Sequence, residues 1–267
     1  MAALLLRTAS VKSIQRYDNC NVRGMLSDVF SVLSGKMANE KKLDMITNNL
    51  ANALTPGFKA IEAAFTTSTV DESTEEGQVP TGYVNIPDGY IRFSDAPLVN
   101  TGNPLDLGLE GSAFFAVSTQ GGTMYTRNGQ FMLDSTGKIV THDGNGVQSQ
   151  GGGDITVPAG GKDIRIGGDG SVYVDKLFIG RVKVVDFQNK QDLKPVGGSL
   201  FVNANSGNQE LPAEHYVLHQ GAYETSNVDI MKSMVQIISA LRAYESYAKV
   251  DQSASDMLGK LIDLGKF

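Results

Sequence analysis

Leu43-Asp44-Met45-Ile46-Thr47-Asn48-Asn49-Leu50-Ala51-Asn52-Ala53-Leu54-Thr55-Pro56-Gly57-Phe58-Lys59, residues 43–59, is where one kind of structure has to stop and another begin. Upstream, apolar residues recur at Leu26, Phe30, Leu33 and Met37 and, after a phase shift, at Leu43, Ile46, Leu50 and Ala53, which is the spacing of an amphipathic helix. Pro56 forces Thr55 out of the α region and Gly57 can take the left-handed conformation, so the helix must end near Asn52 and the chain must turn.

Outward from that turn the pattern changes twice. Residues 66–82 are polar and acidic without a period, and 59–82 read as a flexible connection. From 83 to 222, short apolar runs alternate with turn chemistry: Ala113–Val117 before Gln120-Gly121-Gly122, Met124–Arg127 before Asn128-Gly129, and Phe131–Leu133 before Asp134-Ser135-Thr136-Gly137. Asn-Gly between such runs predicts a hairpin, and Lys138–Thr141, Asp163–Ile166, Ser171–Val174 and Phe178–Phe187 extend the reading to a central all-β domain of Gly-rich hairpins. From 223 to 267 a second helix is expected, with Ser226 or Asn227 as N-cap and Asp229 in its first turn. Steps of four and three residues give a near-heptad seam of Ile230, Met234, Ile237, Leu241, Tyr244, Ala248, Leu258 and Ile262, interrupted by Asp251 and Ser255. The expected fold class is α+β, with long N- and C-terminal helices (25–58 and 223–267) pairing as a coiled-coil-like layer and a central all-β domain between them in sequence. Two apolar stripes with no obvious cover within the chain predict pairing with further copies, and a head-to-tail contact that does not close gives a filament.

Composition restricts the alternatives. The 267 residues hold 30 glycines, 8 prolines, one cysteine and no tryptophan, at a net charge of −6. Arg7, Lys12, Arg16 and Arg23 against Asp18 make residues 1–24 basic, so the rest is acidic. That rest has no basic stripe for phosphate neutralisation, and nucleic acid is excluded as a partner. Cys20 lies in the leader, which leaves no cysteine metal site or disulfide. The apolar run Met1–Leu6 is too short for a secretory signal or for the roughly 20 residues that cross a bilayer, so membrane insertion is not expected. Residues 1–24 read as an atypical leader, with Met25 the expected start.

Catalytic and metal chemistry is not indicated. His215 and His219 are four apart but lack His-Glu-x-x-His, and His142 stands before a Gly-rich turn with no nucleophile in a motif beside it. Ala159-Gly160-Gly161-Lys162-Asp163 fails the phosphate-loop pattern, and Glu75-Glu76 are solvated charges. No enzyme, metal, cofactor or small-molecule ligand is expected.

Residues 43–59 resemble the N-terminal signature of bacterial flagellar rod and hook proteins. Gly102-Asn103-Pro104-Leu105-Asp106-Leu107, Phe114-Phe115 and Tyr125–Phe131 look like that family's central block, and Glu224–Asp229 with Arg242-Ala243-Tyr244-Glu245 like its C-terminal block. The resemblance implies a structural axial subunit of the basal-body rod, exported through the flagellum's type III apparatus without a cleaved signal and lying in the rod across the periplasm. Its partners would be copies of itself and other rod subunits. Val182–Phe187, Leu193 and Leu200-Phe201 point to the proximal-rod type, with the distal-rod type, to which Gly102–Leu107 point, or a hook-type axial protein as alternatives. A β-rich carbohydrate-active enzyme or adhesin is the reading from another class. As assembly residues, the sequence nominates Leu43, Ile46, Asn48, Asn49, Leu50, Asn52, Pro56, Gly57, Phe58, Ser226, Asn227 and Val228, together with the seam positions Ile230 to Ile262 named above.

Overall fold

The computed structural model describes residues 31–64, 66–69, 82–85, 89–161 and 163–264. The leader 1–24, Met25, Leu26, Phe30 and the polar stretch 70–81 lie outside the described residues. The chain forms two compact units. One is a body of Asn48–Glu62 and Tyr90–Ser233, and the other comprises the described parts of Met1–Thr47, Ala63–Gly89 and Met234–Phe267.

The body is β-rich, and its centre is Phe114–Thr119. One edge of this strand pairs antiparallel with Gly122–Thr126, Val117 opposite Met124. The other edge is shared, with Val184–Phe187 against Phe114 and Phe115 and Gly146–Val147 against Val117 and Ser118. The sheet runs Leu193–Gly197, Leu200–Asn203, Gly122–Thr126, Phe114–Thr119, Gly146–Val147, Ile139–Thr141, Phe131–Leu133, with Glu210–Pro212 added through Val184–Phe187. Alternate side chains of the central strand enter two cores. Phe115 and Val117 meet Leu107, Leu109, Phe131, Val147 and Val172, whereas Phe114 and Ala116 meet Ile91, Tyr125, Val185, Phe187 and Phe201. Burial on both faces is why Ala113–Val117 is continuously apolar. Phe114 is fully buried and contacts Phe93 edge-on at 5.4 Å.

Two strand expectations need correction. Asn128-Gly129 is no hairpin turn: Gly122–Thr126 and Phe131–Leu133 do not pair, and Gly129 is absent from the residues at positive φ. Its glycine is required by close approach, because a Cβ there would stand 1.8 Å from the Leu107 carbonyl oxygen, whose own amide donates to the Gly129 carbonyl at 2.9 Å. Gly129→Ala is expected to destabilise the body by about 3 kcal/mol, measured by urea denaturation. The run 178–187 is two strands. Leu177–Arg181 closes a three-stranded sheet with Ser171–Val174 and Ile164–Ile166, and Val184–Phe187 joins the large sheet. Thr66–Thr69, read from sequence as part of the polar connection, pairs with Gly82–Asn85.

The expected layer of two long terminal helices paired as a coiled coil is also corrected. The N-terminal helix, α1, spans 31–51 among the described residues, and the C-terminal helix, α2, is the 35-residue Ile230–Leu264. Within the terminal unit the helices touch by small and polar groups. Asn39 Nδ2 donates to the Ala240 carbonyl at 2.8 Å, Gly35 faces the Tyr247 ring, and Lys36 lies over Tyr244 at 5.7 Å. The covered residues include Gly35 and Ala38 on α1 and Ala240 on α2, whereas Leu33, Met37, Met234 and Leu241 are exposed. Small side chains admit the close helix approach, and Met234 and Leu241 of the expected seam face solvent, whereas Tyr244 lies beneath Lys36.

Candidate assembly site

Three segments distant in sequence meet inside the body: the turn after α1, the strip Arg92–Pro97, and Ala222–Asn227, which leads into α2. The turn follows from its residues. Asn52 Nδ2 and the Asn52 amide both donate to the Asn48 carbonyl, at 3.0 and 3.2 Å, closing the last helical turn, and Thr55 Oγ1 donates to Asn52 Oδ1 at 3.2 Å. Gly57 then adopts φ +67°, and a Cβ at that position would lie 2.2 Å from the Asn128 amide nitrogen. Both the left-handed backbone and the tight approach exclude a side chain.

Past the turn, the two ends of the body satisfy one another's backbones. The Gly57 amide donates to the Glu224 carbonyl at 2.8 Å and the Asn227 amide to the Phe58 carbonyl at 3.3 Å. Asn227 Oδ1 accepts from the Ala60 amide at 2.7 Å while its Nδ2 donates to the Arg92 carbonyl at 2.7 Å. Asn49 acts similarly, bracketing Ile61 by accepting from its amide at 2.9 Å and donating to its carbonyl at 2.8 Å. With the Asn227 amide group so engaged, Asp229 caps α2 instead of Ser226 or Asn227: its Oδ1 accepts from the Lys232 amide at 3.0 Å. Ser226 Oγ accepts from the Val228 amide at 3.3 Å.

At the centre of this junction lie Lys59, Arg127 and Glu224, whose side chains are fully buried. Lys59 Nζ donates to Glu224 Oε1 and to the Ser94 carbonyl, each at 2.7 Å. Glu224 Oε1 also accepts from the Ala96 amide at 2.8 Å, and Oε2 lies 3.4 Å from Arg127 Nη1. Arg127 donates to the Leu109 carbonyl at 3.3 Å and to the Gly111 carbonyl, meets the half-exposed Asp95 at 3.5 Å, and lies over the Phe114 ring at 5.2 Å. Burial pulls the Lys59 ammonium below its ordinary value, with the Glu224 carboxylate opposing and Arg127 adding to the fall. Burial lowers Arg127 in the same way, against Glu224 and Asp95. Charges removed from water this completely are stable only when paired and hydrogen-bonded, and here every carboxylate oxygen of Glu224 has a partner.

Away from the junction, the sheet carries its own charge dependence. Burial opposes ionisation of Glu210, but hydrogen bonds from Lys183 and Tyr125 outweigh it and hold its pKa below the ordinary carboxylate value. Asp186 is lowered likewise, burial being outweighed by Ser112, the Phe187 amide and Lys190. Folded values below unfolded ones contribute stability that is present above about pH 4 and lost as the pH falls through the folded pKa values. The melting temperature of the body, followed by circular dichroism from pH 6 to pH 2, is expected to fall below about pH 4, and Glu210→Gln to flatten that fall.

Within the terminal unit, α2 presents apolar side chains to solvent along much of its length. Met234, Val235, Ile238, Leu241, Tyr244, Val250 and Met257 are exposed, Val235 at 62%. Met234, Ile238 and Leu241, with Val235 beside them, lie on one side of the helix, and an exposed apolar face of this kind marks an interaction surface. No described helix is long and apolar enough to cross a membrane.

The junction and the helices coincide with three separately recognised blocks. Residues 32–59 match the family model described as flagella basal body rod protein, 108–174 that of the flagellar hook protein FlgE/F/G D1 domain, and 219–264 that of the flagellar basal body rod FlgEFG protein C-terminal. The chain is 32% identical over 237 residues to the flagellar basal-body rod protein FlgF of Caulobacter vibrioides, covering 86% of this chain and 96% of that one. The chain belongs to the flagellar basal-body rod protein family. A similar match, 32% over 262 residues, is found with FlgG of Bacillus subtilis, covering 90% and 99% of the two chains, and one of 30% over 224 residues with FlgF of Mesorhizobium japonicum.

In this rod-family chain the residues nominated from sequence fall into three groups. Asn49, Asn52, Gly57, Phe58, Ser226 and Asn227 come together around the junction, with Asn48 and Pro56 engaged through their carbonyls and the latter accepting from Ser199 Oγ at 3.1 Å. Ile46 is buried, Leu43, Leu50 and Val228 are half-buried, and Ile230, Met234, Leu241, Tyr244 and Ala248 are exposed, with Ile237 between. The side chains of Leu258 and Ile262 lie outside the described residues. The charged cluster itself was missed. Its signal is one isolated charge in each recognised block: Lys59 after Pro56-Gly57-Phe58, Arg127 before Asn128-Gly129, and Glu224 before Thr225-Ser226-Asn227. The two histidines share no site. His219 Nε2 contacts Glu110 Oε2 at 2.9 Å across paired strands, and no group of three or more metal-ligating side chains occurs among the described residues.

Proposed function

We propose that this chain is a structural subunit of the flagellar basal-body rod, of the proximal type, which joins copies of itself and other rod subunits through the exposed apolar face of α2. That face is the observation that carries the reading, since α2 is a 35-residue helix that leaves Met234, Val235, Ile238 and Leu241 to solvent. Family membership supports a structural role in the basal body, and the relatives are named for the rod and not for a reaction. FlgF and FlgG relatives match at the same identity, so the proximal assignment rests on Val182–Phe187, Leu193 and Leu200-Phe201. Residues 25–58 and 223–267 act as the assembly segments and 83–222 as the central β domain. The chain reaches the rod through the flagellar export apparatus and crosses the periplasm within it.

Two results test this. Basal bodies purified from the native host and analysed by mass spectrometry should contain the chain, and a null strain should lack the rod beyond the proximal segment. Recovery of complete rods from the null strain would reject the assignment.

A further inference from the structure

We propose that the Lys59, Glu224 and Arg127 cluster is a latch with two ends: segments 57–62 and 222–227 undock together in one step, separately from the nine-stranded sheet. The proposal rests on the junction alone and not on the rod partners.

Neither segment belongs to the large sheet. Ile61–Glu62 pairs only with Tyr90–Ile91, and Ala222–Glu224 with Leu98–Asn100, and two-stranded ribbons of this length are marginal by themselves. What joins the two ribbons is reciprocal. Gly57 and Ala60 donate to Glu224 and Asn227, Asn227 donates to Phe58, and Arg92–Pro97 is held from both sides by Lys59 Nζ on the Ser94 carbonyl and Thr225 on the Pro97 carbonyl. If 222–227 leaves, the fully buried Lys59 loses the carboxylate it is bonded to and Arg127 keeps the half-exposed Asp95. If 57–62 leaves, Glu224 loses its closest cation. A half-docked junction thus leaves a buried charge without its closest partner, a cost that release of both ends removes for Lys59 and Glu224. Apolar residues in the same places would permit either end to fray independently, and the buried charges forbid it. The structural result is that the bases of the two terminal helices share one fate: a chain lacking its C-terminal motif cannot secure its N-terminal one.

The test is native-state amide exchange on the full chain over increasing sub-denaturing urea. The amides of Gly57, Ala60, Ala96 and Thr225 should converge on one opening reaction, with one urea dependence, while Ala116 and Gln148 in the sheet stay protected until global unfolding. Glu224→Gln should then accelerate all four junction amides by a common factor on the order of a hundredfold, and the sheet pair, which is exposed only on global unfolding, by no more than that factor and still far behind the junction. Different opening reactions at Gly57 and Thr225, acceleration confined to 222–227, or junction amides that exchange only on global unfolding would each overturn the proposal.

Discussion

Replacing Glu224 by alanine is expected to cost the body about 3–5 kcal/mol, the range for removing one partner of a buried ion pair and leaving the other charge in place. The prediction does not come from the Lys59 contact alone. Glu224 is ion-paired with both Lys59 and Arg127, and it also accepts from the Ala96 amide, so its loss deprives an ammonium, part of a guanidinium and a backbone donor of their partner together. Asp95 is too exposed to compensate. Urea denaturation followed by circular dichroism reads the change directly. As a control, Arg165→Ala removes a pair with Asp163 in which both side chains are largely exposed, and no measurable change is expected. Equal effects of the two substitutions would mean that the junction is no more than a surface feature.

The second large effect concerns α2. Leu241→Asp places a carboxylate on an exposed apolar face, where in the free chain it is solvated and harmless, but where burial against a neighbouring subunit would desolvate it. Incorporation into the rod should fall to background while the melting transition of the body stays at its unsubstituted temperature. A change at Ala240 is predicted to behave differently, because Ala240 is buried and its carbonyl accepts from Asn39; Ala240→Leu should loosen the terminal unit of the isolated chain.

These particulars show what the sequence makes legible. The helix end at Asn52, the left-handed Gly57 and the strand at Ala113–Val117 were readable because each is settled by neighbours within a few residues. The orientation of α2 was not. Its sequence carries two stripes, a large one through Met234 and Leu241 and a small one that includes Ala240, and periodicity alone favours the large one even though the close packing uses the small one. Asn128-Gly129 looks like a hairpin turn because glycine serves two needs, positive φ and close approach, and at Gly129 the second applies. The charged cluster lay out of reach since Lys59 and Glu224 are 165 residues apart and nothing local distinguishes a buried lysine from a solvated one. Capping at Asp229 followed from the same long-range demand on Asn227.

Whether α2 joins subunits is measured most directly by the amount of Leu241→Asp chain in basal bodies purified from a null strain that expresses it, set beside its thermal unfolding in isolation. The expected chain folds with an unshifted body transition, is missing from the basal bodies and fails to restore motility. A Leu241→Asp chain present in basal bodies at the unsubstituted level would contradict it.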